Sequence, residues 1–405
     1  MNTAVVTGIG VTAPTGLGTD AYWAATTAGS TAIRPVDRFD AGSYPARLAG
    51  VITDFDERAL LPGRLIPQTD RITQFALVAT QWALADAGLD PSAHSDFDLG
   101  VVTAASAGGF EYGQRELQKL YTEGPQAVSA YMSFSWFYAV NTGQLSIRHG
   151  LRGPAAAVVT DGAGGLDALG HARRQIRQGT PAVLSGGMES AMCPMGLVSQ
   201  LPGGELSTVD DPARAYRPFA DDATGYVPGE GGAILLVEDA AAARRRGAPR
   251  IHGEIAGYAS TFDARPGSGR EPGLARAAAL ALDDADVLPD DVDVVFADAA
   301  GTLAGDQVEA QVLAKLFGPR GVPITAPKTG TGRLNSGAGA LDVVTALLAI
   351  RDGVIPPTVN VERVGRRYEI DLVLGEARRT PVRTALVLAR GKGGFNAAVV
   401  VRAAT

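Results

Sequence analysis

Two patterns of apolar positions alternate along this chain. Short runs that are apolar throughout read as buried strands, and longer stretches with apolar residues three and four apart read as amphipathic helices. Strands are predicted at 4–8, 99–103, 155–159, 182–185 and 233–238, then at 251–256, 292–297, 322–325, 385–388 and 397–401. Helices are predicted between them, at 20–27, 69–88, 110–120, 166–179 and 240–246, then at 273–285, 307–317 and 341–351. In the second of these, Ile72, Phe75, Ala76, Ala79 and Ala83 form one apolar face. The alternation predicts mainly parallel sheets covered on both faces by helices. No sequence repeat is visible, and the boundary between two α/β halves is placed at residues 247–250, giving 1–249 and 250–405.

One connection stands out chemically. The stretch Val158-Val-Thr-Asp-Gly-Ala-Gly-Gly-Leu-Asp-Ala-Leu-Gly170 joins a strand to a helix through a tight turn at 161–165. Helix N-termini carry partial positive charge and free N–H groups, so such a turn can lower a thiol pKa and bind an oxyanion. Here the apex is Gly162, which has no side chain. By contrast Gly-Val-Thr-Ala-Pro-Thr-Gly, at 10–16, lacks dinucleotide-binding spacing and reads as an ordinary strand-to-helix connection.

The helix at 110–120 places Phe110, Gly113 and Leu117 on one face. The aromatic cluster Phe134-Ser-Trp-Phe-Tyr138 suits either a core or a subunit interface. In the second half, two loops follow strand ends, Asp298-Ala-Ala-Gly-Thr-Leu-Ala-Gly-Asp306-Gln-Val-Glu309 and Lys328-Thr-Gly-Thr-Gly-Arg333-Leu-Asn-Ser-Gly337. That is where α/β proteins place functional groups.

Composition narrows the choice of function. The chain has 405 residues and a net charge of −7, with no basic run interleaved with aromatics, which argues against nucleic acid. The single cysteine, Cys193, excludes an internal disulfide framework and fits a reducing compartment. It precedes a proline, with no evident helix N-terminus or histidine beside it, and reads as a buried inert thiol. No N-terminal signal pattern is evident, and the apolar run at 338–350 is short and interrupted by Asp342, so a cytoplasmic protein without a membrane segment is expected.

From Val6-Thr-Gly-Ile-Gly10 to Gly391-Lys-Gly-Gly-Phe-Asn396, the whole chain resembles the ketoacyl synthases of the thiolase superfamily. The resemblance implies a thiolase-like α/β fold, two similar halves forming a layered αβαβα core. In active members a cysteine in the strand-to-helix turn receives an acyl group from an acyl carrier protein. Two histidines, one in each later loop, assist malonyl decarboxylation. At the matching positions this chain has Gly162, Asp298 and Arg333, while the supporting residues Asp306, Glu309 and Lys328 are retained. The four histidines, His94, His149, His171 and His252, lie outside these loops. Glycine cannot be acylated on its side chain, an ionised Asp298 opposes developing negative charge, and an arginine cannot act as a neutral imidazole. No intrinsic catalysis is expected.

The loss resembles that in the chain length factor, or ketosynthase beta subunit, of type II aromatic polyketide synthases. It also resembles that subfamily across 134–150, 294–301, 327–334 and 389–396. It implies a heterodimer with a catalytic ketosynthase alpha subunit, an acyl carrier protein as further partner, and a poly-β-keto chain growing into an interface tunnel. Phosphopantetheine then arrives on the carrier, and no cofactor is bound directly. The matching chain-length gate is Phe110, Gly113, Leu117 and Met195, whose sizes imply a product longer than an octaketide. Two departures are expected to matter. Gly162 stands where the subfamily has glutamine, implying a tolerant position or a small void or water, and Lys392 replaces a gating phenylalanine of active enzymes. The alternatives are a self-sufficient condensing enzyme using Cys193, a malonyl-carrier decarboxylase, and a purely structural partner of the alpha subunit.

Overall fold

The computed structural model describes residues 2–265 and 267–404. In chain order its main elements are β1 (Ala4–Ala13), α1 (Arg71–Ala87), β2 (Leu99–Ala104), α2 (Phe110–Glu123), α3 (Val140–His149), β3 (Ala155–Val158), α4 (Gly164–Arg177), β4 (Ala182–Glu189) and β5 (Gly231–Asp239). The second half supplies β6 (Gly253–Phe262), α5 (Gly273–Ala285), β7 (Val294–Phe296), α6 (Leu303–Phe317), β8 (Pro323–Thr325), α7 (Ser336–Asp352), β9 (Asp371–Leu372), β10 (Thr384–Gly391) and β11 (Phe395–Arg402).

The long strands form one sheet path, β9-β8-β7-β10-β11-β6-β1-β5-β4-β2-β3. Outward from the β6/β1 contact, each half places its first, fifth, fourth, second and third strands in the same order, with β9 as an addition. The chain therefore carries a structural repeat that its residues do not display. Mainly parallel pairing is not what forms. The pairs from β10 through β4 are antiparallel, and the parallel pairs lie toward the two ends. The turn at 392–394 explains one antiparallel pair directly, because three residues can return a strand but cannot cross it over.

Alternating side chains on each strand separate the layers. On β5, Ala233, Leu235 and Val237 face the central layer with α4 and α7, whereas Ile234 and Leu236 face α1. On β10, Ala385 and Val387 face the same central layer, whereas Leu386 and Leu388 face α5 and α6. This gives five layers, αβαβα. Helix α4 is held centrally by Leu166, Leu169 and Ile176, each fully buried and each stabilising the fold by about 1.5–3 kcal/mol.

Two strands differ from expectation in ways that matter for function. The run at 155–159 is not a buried strand. It is the edge strand β3, paired only with β2, with Ala155 and Val159 exposed. Apolar composition signals partial cover on two faces but says nothing about a missing neighbour along the edge. The strand expected at 251–256 runs from Gly253 to Phe262. Among the described residues, no helix is long and apolar enough to cross a membrane.

Candidate functional site

The strand-to-helix turn forms as the sequence implies. A single 3-10 turn, Asp161–Ala163, connects β3 to α4, and Gly162 is buried at its apex. The loops after β7 and β8 bring Asp298 and Arg333 against it. Three non-glycine residues with left-handed backbone stand beside these positions: Asp161 (φ 51°), Ala299 (φ 52°) and Asn335 (φ 44°). Such conformations cost energy and persist only where surrounding contacts hold them. Asp161 is held at both ends. Its carbonyl accepts from Ser336 Oγ at 3.0 Å, and its carboxylate from the Lys392 N–H at 2.8 Å.

At Gly162 the space a side chain would take is filled. A Cβ there would lie 2.3 Å from the Arg390 carbonyl oxygen and 3.2 Å from Arg333 Nη2. The position is therefore not tolerant either, because backbone fills the space a side chain would use. Arg390 went unnoticed in the sequence. It precedes the glycine-rich turn, and the parallel pairing of β10 with β7 carries it alongside Asp298.

Asp298 organises the charges. Its Oδ1 accepts from Arg333 Nη2 at 2.8 Å and from the Arg390 backbone N–H at 2.8 Å, and its Oδ2 accepts from Arg390 Nε at 3.1 Å. Burial alone would raise the Asp298 carboxyl, but the charges of Arg333, Arg390 and Lys328 overcome it and hold the group well below the usual carboxylate range. Arg333 also donates to the Asp298 carbonyl at 3.1 Å and the Arg390 carbonyl at 2.8 Å. Its guanidinium lies 5.7 Å from the Tyr226 ring centroid. Its Nη1 and Nη2 groups are therefore both engaged within the protein.

The retained supporting residues brace this cluster, though not all by pairing charges. Lys328 Nζ donates to the Ala297 carbonyl at 2.6 Å and pairs with Asp342 at 2.7 Å. Glu309 accepts the N–H groups of Asp298 and Ala299 at 2.7 and 2.8 Å. Asp306 accepts those of Phe219 and Gly301, both at 2.9 Å, and burial pushes its carboxyl up to about 7. It is a brace for backbone N–H groups, not the member of a charge pair. A cavity of about 310 Å³ remains outside the cluster, lined by Asp161, Tyr226, Asp298, Arg333, Arg390 and Lys392 among others. Lys392 itself is exposed at the rim. None of the four histidines lines the cavity.

Cys193 gains one neighbour the sequence did not suggest. It caps the short helix Pro194–Gln200, its Sγ accepting from the Gly196 N–H at 3.4 Å. Burial nevertheless pushes the thiol up to about 11, which keeps it protonated and weakly nucleophilic at neutral pH.

Residues 1–243 match the beta-ketoacyl synthase N-terminal domain, and residues 252–362 match the corresponding C-terminal domain. The chain belongs to the beta-ketoacyl synthase family. It is 60% identical over 399 residues to the tetracenomycin polyketide synthase ketoacyl synthase beta subunit of Streptomyces glaucescens, covering 98% of each chain. Among solved structures, the ishigamide ketosynthase/chain length factor superposes with a TM-score of 0.92 at 27% identity, over 100% of both chains. A type II polyketide acyl-carrier protein in complex with its ketosynthase bound to the hexaketide gives 0.88 at 27% identity, also over 100% of both chains. This family member thus keeps the ketoacyl synthase fold, with glycine, aspartate and arginine in the three positions matched above.

The positions expected to form a gate lie apart from this charged cluster, on α2 and the segments packed against it. Gly113 is buried and Phe110 half-buried. Met195 is half-buried, and its N–H donates to Gln114 Oε1 at 2.6 Å. Leu117 is on the exposed side, near Leu120 and Tyr121. The structure therefore joins Gly113 with Met195 and leaves Leu117 facing outward. The aromatic cluster resolves toward the surface, since Trp136, Phe137 and Tyr138 are 47%, 39% and 43% exposed.

Proposed function

We propose that this chain is the non-catalytic beta subunit, or chain length factor, of a heterodimeric type II polyketide ketosynthase. The observation that carries the reading is the Arg390 carbonyl standing where a side chain at position 162 would be, with Asp298 and Arg333 ion-paired beside it. Condensation needs a nucleophile to hold the growing chain and free donors for the malonyl thioester. Here position 162 has no side chain, and Arg333 Nη1 and Nη2 are already engaged within the protein. The same committed donors weigh against the malonyl-carrier decarboxylase alternative.

The partner that supplies the cysteine and histidines is a ketosynthase alpha subunit. The unpaired edge strand β3 and the exposed aromatics at 136–138 offer it a contact surface with both hydrogen-bonding groups and apolar area. The poly-β-keto chain grows into a tunnel at that contact, and Phe110, Gly113, Leu117 and Met195 help set its depth, favouring a product longer than an octaketide. Phosphopantetheine belongs to the acyl carrier protein and reaches the alpha subunit's cysteine, so this chain holds no cofactor of its own. It works in the cytoplasm.

The test is co-expression with an alpha subunit, then malonyl-carrier consumption by each subunit alone and by the pair. The expected result is polyketide from the pair only, abolished when the alpha cysteine is replaced. Condensation by this chain alone would overturn the reading.

A further inference from the structure

The space beside Gly113 is closed by Trp136 and two methionine ends, from two other segments. A Cβ at Gly113 would lie 3.4 Å from Trp136 Cβ, 3.9 Å from Met195 Cε and 4.0 Å from Met132 Cε. These are ordinary contacts, so alanine would fit, and alanine is worth about 1 kcal/mol more than glycine inside a helix. Backbone geometry does not demand glycine here either, since Gly113 is not among the residues with positive φ. What the glycine contributes is room, and two methionine methyl groups occupy its border.

The two methionines combine anchored backbones with movable ends. Met195 is tied to α2 by the bond from its N–H to Gln114. The segment before Met132 is tied to α2 by the Ser129 N–H bond to Glu116 Oε2 at 2.7 Å and by the Tyr112 hydroxyl bond to Ser129 Oγ at 3.0 Å. The segment after it is tied by Ser135 Oγ, which donates to the Gln68 carbonyl at 2.6 Å. A methionine side chain is unbranched, with three rotatable bonds and a polarizable sulfur, so it yields to an apolar or carbonyl-rich chain at small cost.

We infer that Met132 is a further chain-length determinant, forming with Met195 a yielding pair of thioether ends over Gly113 that the growing poly-β-keto chain displaces. The inference rests on the beta-subunit reading above. It adds a segment, 129–135, to the four positions that the resemblance supplied. Position 132 then sets how far the chain can extend before rigid structure stops it.

The experiment uses the assembled alpha–beta pair, with product lengths read by mass spectrometry and total malonyl consumption read in parallel. Met132→Ala is expected to shift the ratio of the next longer product to the wild-type product by about 10-fold, the discrimination one or two methylenes give in an apolar pocket. Met132→Phe is expected to shift it the other way. Consumption by the Met132→Ala pair should stay near wild type, which separates a change of length from a loss of assembly. If Met132→Phe fails to assemble, Met132→Ala decides alone, because truncation leaves every anchor of the segment in place. Unchanged products from Met132→Ala alongside shortened products from Gly113→Trp would overturn the role of Met132. Unchanged products from both, in an active pair, would instead remove the chain-length reading itself.

Discussion

Gly162 and Gly113 are both buried glycines, and they are opposites. At Gly162 an added Cβ would meet backbone, the Arg390 carbonyl, inside a network of ion pairs. At Gly113 it would meet only side chains, Trp136 Cβ and the tips of two methionines. The first region has its charges and hydrogen bonds met within the chain. The second borders the exposed Trp136, whose ring is left partly open to solvent. A protein can lose a reaction and keep its fold when the vacated site is rebuilt as structure, and it can still act through a neighbouring surface left unfinished.

The sharpest way to break this contrast is to remove the centre of the first region. Asp298→Ala leaves Arg333 and Arg390 buried without their shared carboxylate, and breaking a buried pair this way costs about 3–5 kcal/mol. Denaturant unfolding of the isolated chain should show that loss, and a change below about 1 kcal/mol would mean that water reaches the arginines. The complementary attack is on the second region. Trp136→Ala with Phe137→Ala should leave the isolated chain within about 0.5 kcal/mol of wild type, as exposed positions do. The same pair should weaken association with the alpha subunit by about 2 kcal/mol or more, roughly 30-fold in Kd, measurable by sedimentation.

Gly162→Cys tests whether the vacated site could be refilled. The new side chain must displace the Arg390 carbonyl, so a loss of about 1–3 kcal/mol is expected, with no acyl labelling of the isolated chain. Labelling at wild-type stability would show the hairpin to be movable. The smallest effect concerns Glu189, buried at the end of β4, where burial pushes the carboxyl up to about 7 against the bonds it accepts from Ser106. A raised carboxyl pKa means the folded state holds its proton longer than the unfolded state. Its contribution is therefore complete below the ordinary glutamate range and is lost as pH rises toward 7. Glu189→Gln should flatten that part of the stability–pH profile, and an unchanged profile would show that Glu189 is ionised throughout.

Much of this was legible in the residues. The helix at 273–285 was found with its observed limits, and the turn apex at Gly162 and the loops at Asp298 and Arg333 were located before any fold was known. These signals are local: apolar periodicity, glycine at a turn, charged groups past a strand end. What failed was the arrangement of neighbours. The strand at 155–159 reads as buried, the sheet as mainly parallel, Cys193 as lacking a helix N-terminus and Gly162 as tolerant or beside a small void or water. Each depends on a partner distant in the chain or on backbone geometry that composition does not encode.

The residues alone determined that no nucleophile could stand at position 162 and that no histidine stood at 298 or 333. A side chain that is absent from the sequence cannot be supplied by folding. Only the tertiary structure decided what took their place. The Arg390 carbonyl reaches Gly162, more than 200 residues away in the chain, and its guanidinium joins Asp298, because parallel pairing of β10 with β7 carries both segments past the same sheet end. It also decided that Met132 and Met195 meet over Gly113, since close packing brings together side chains whose order in the sequence carries no sign of it.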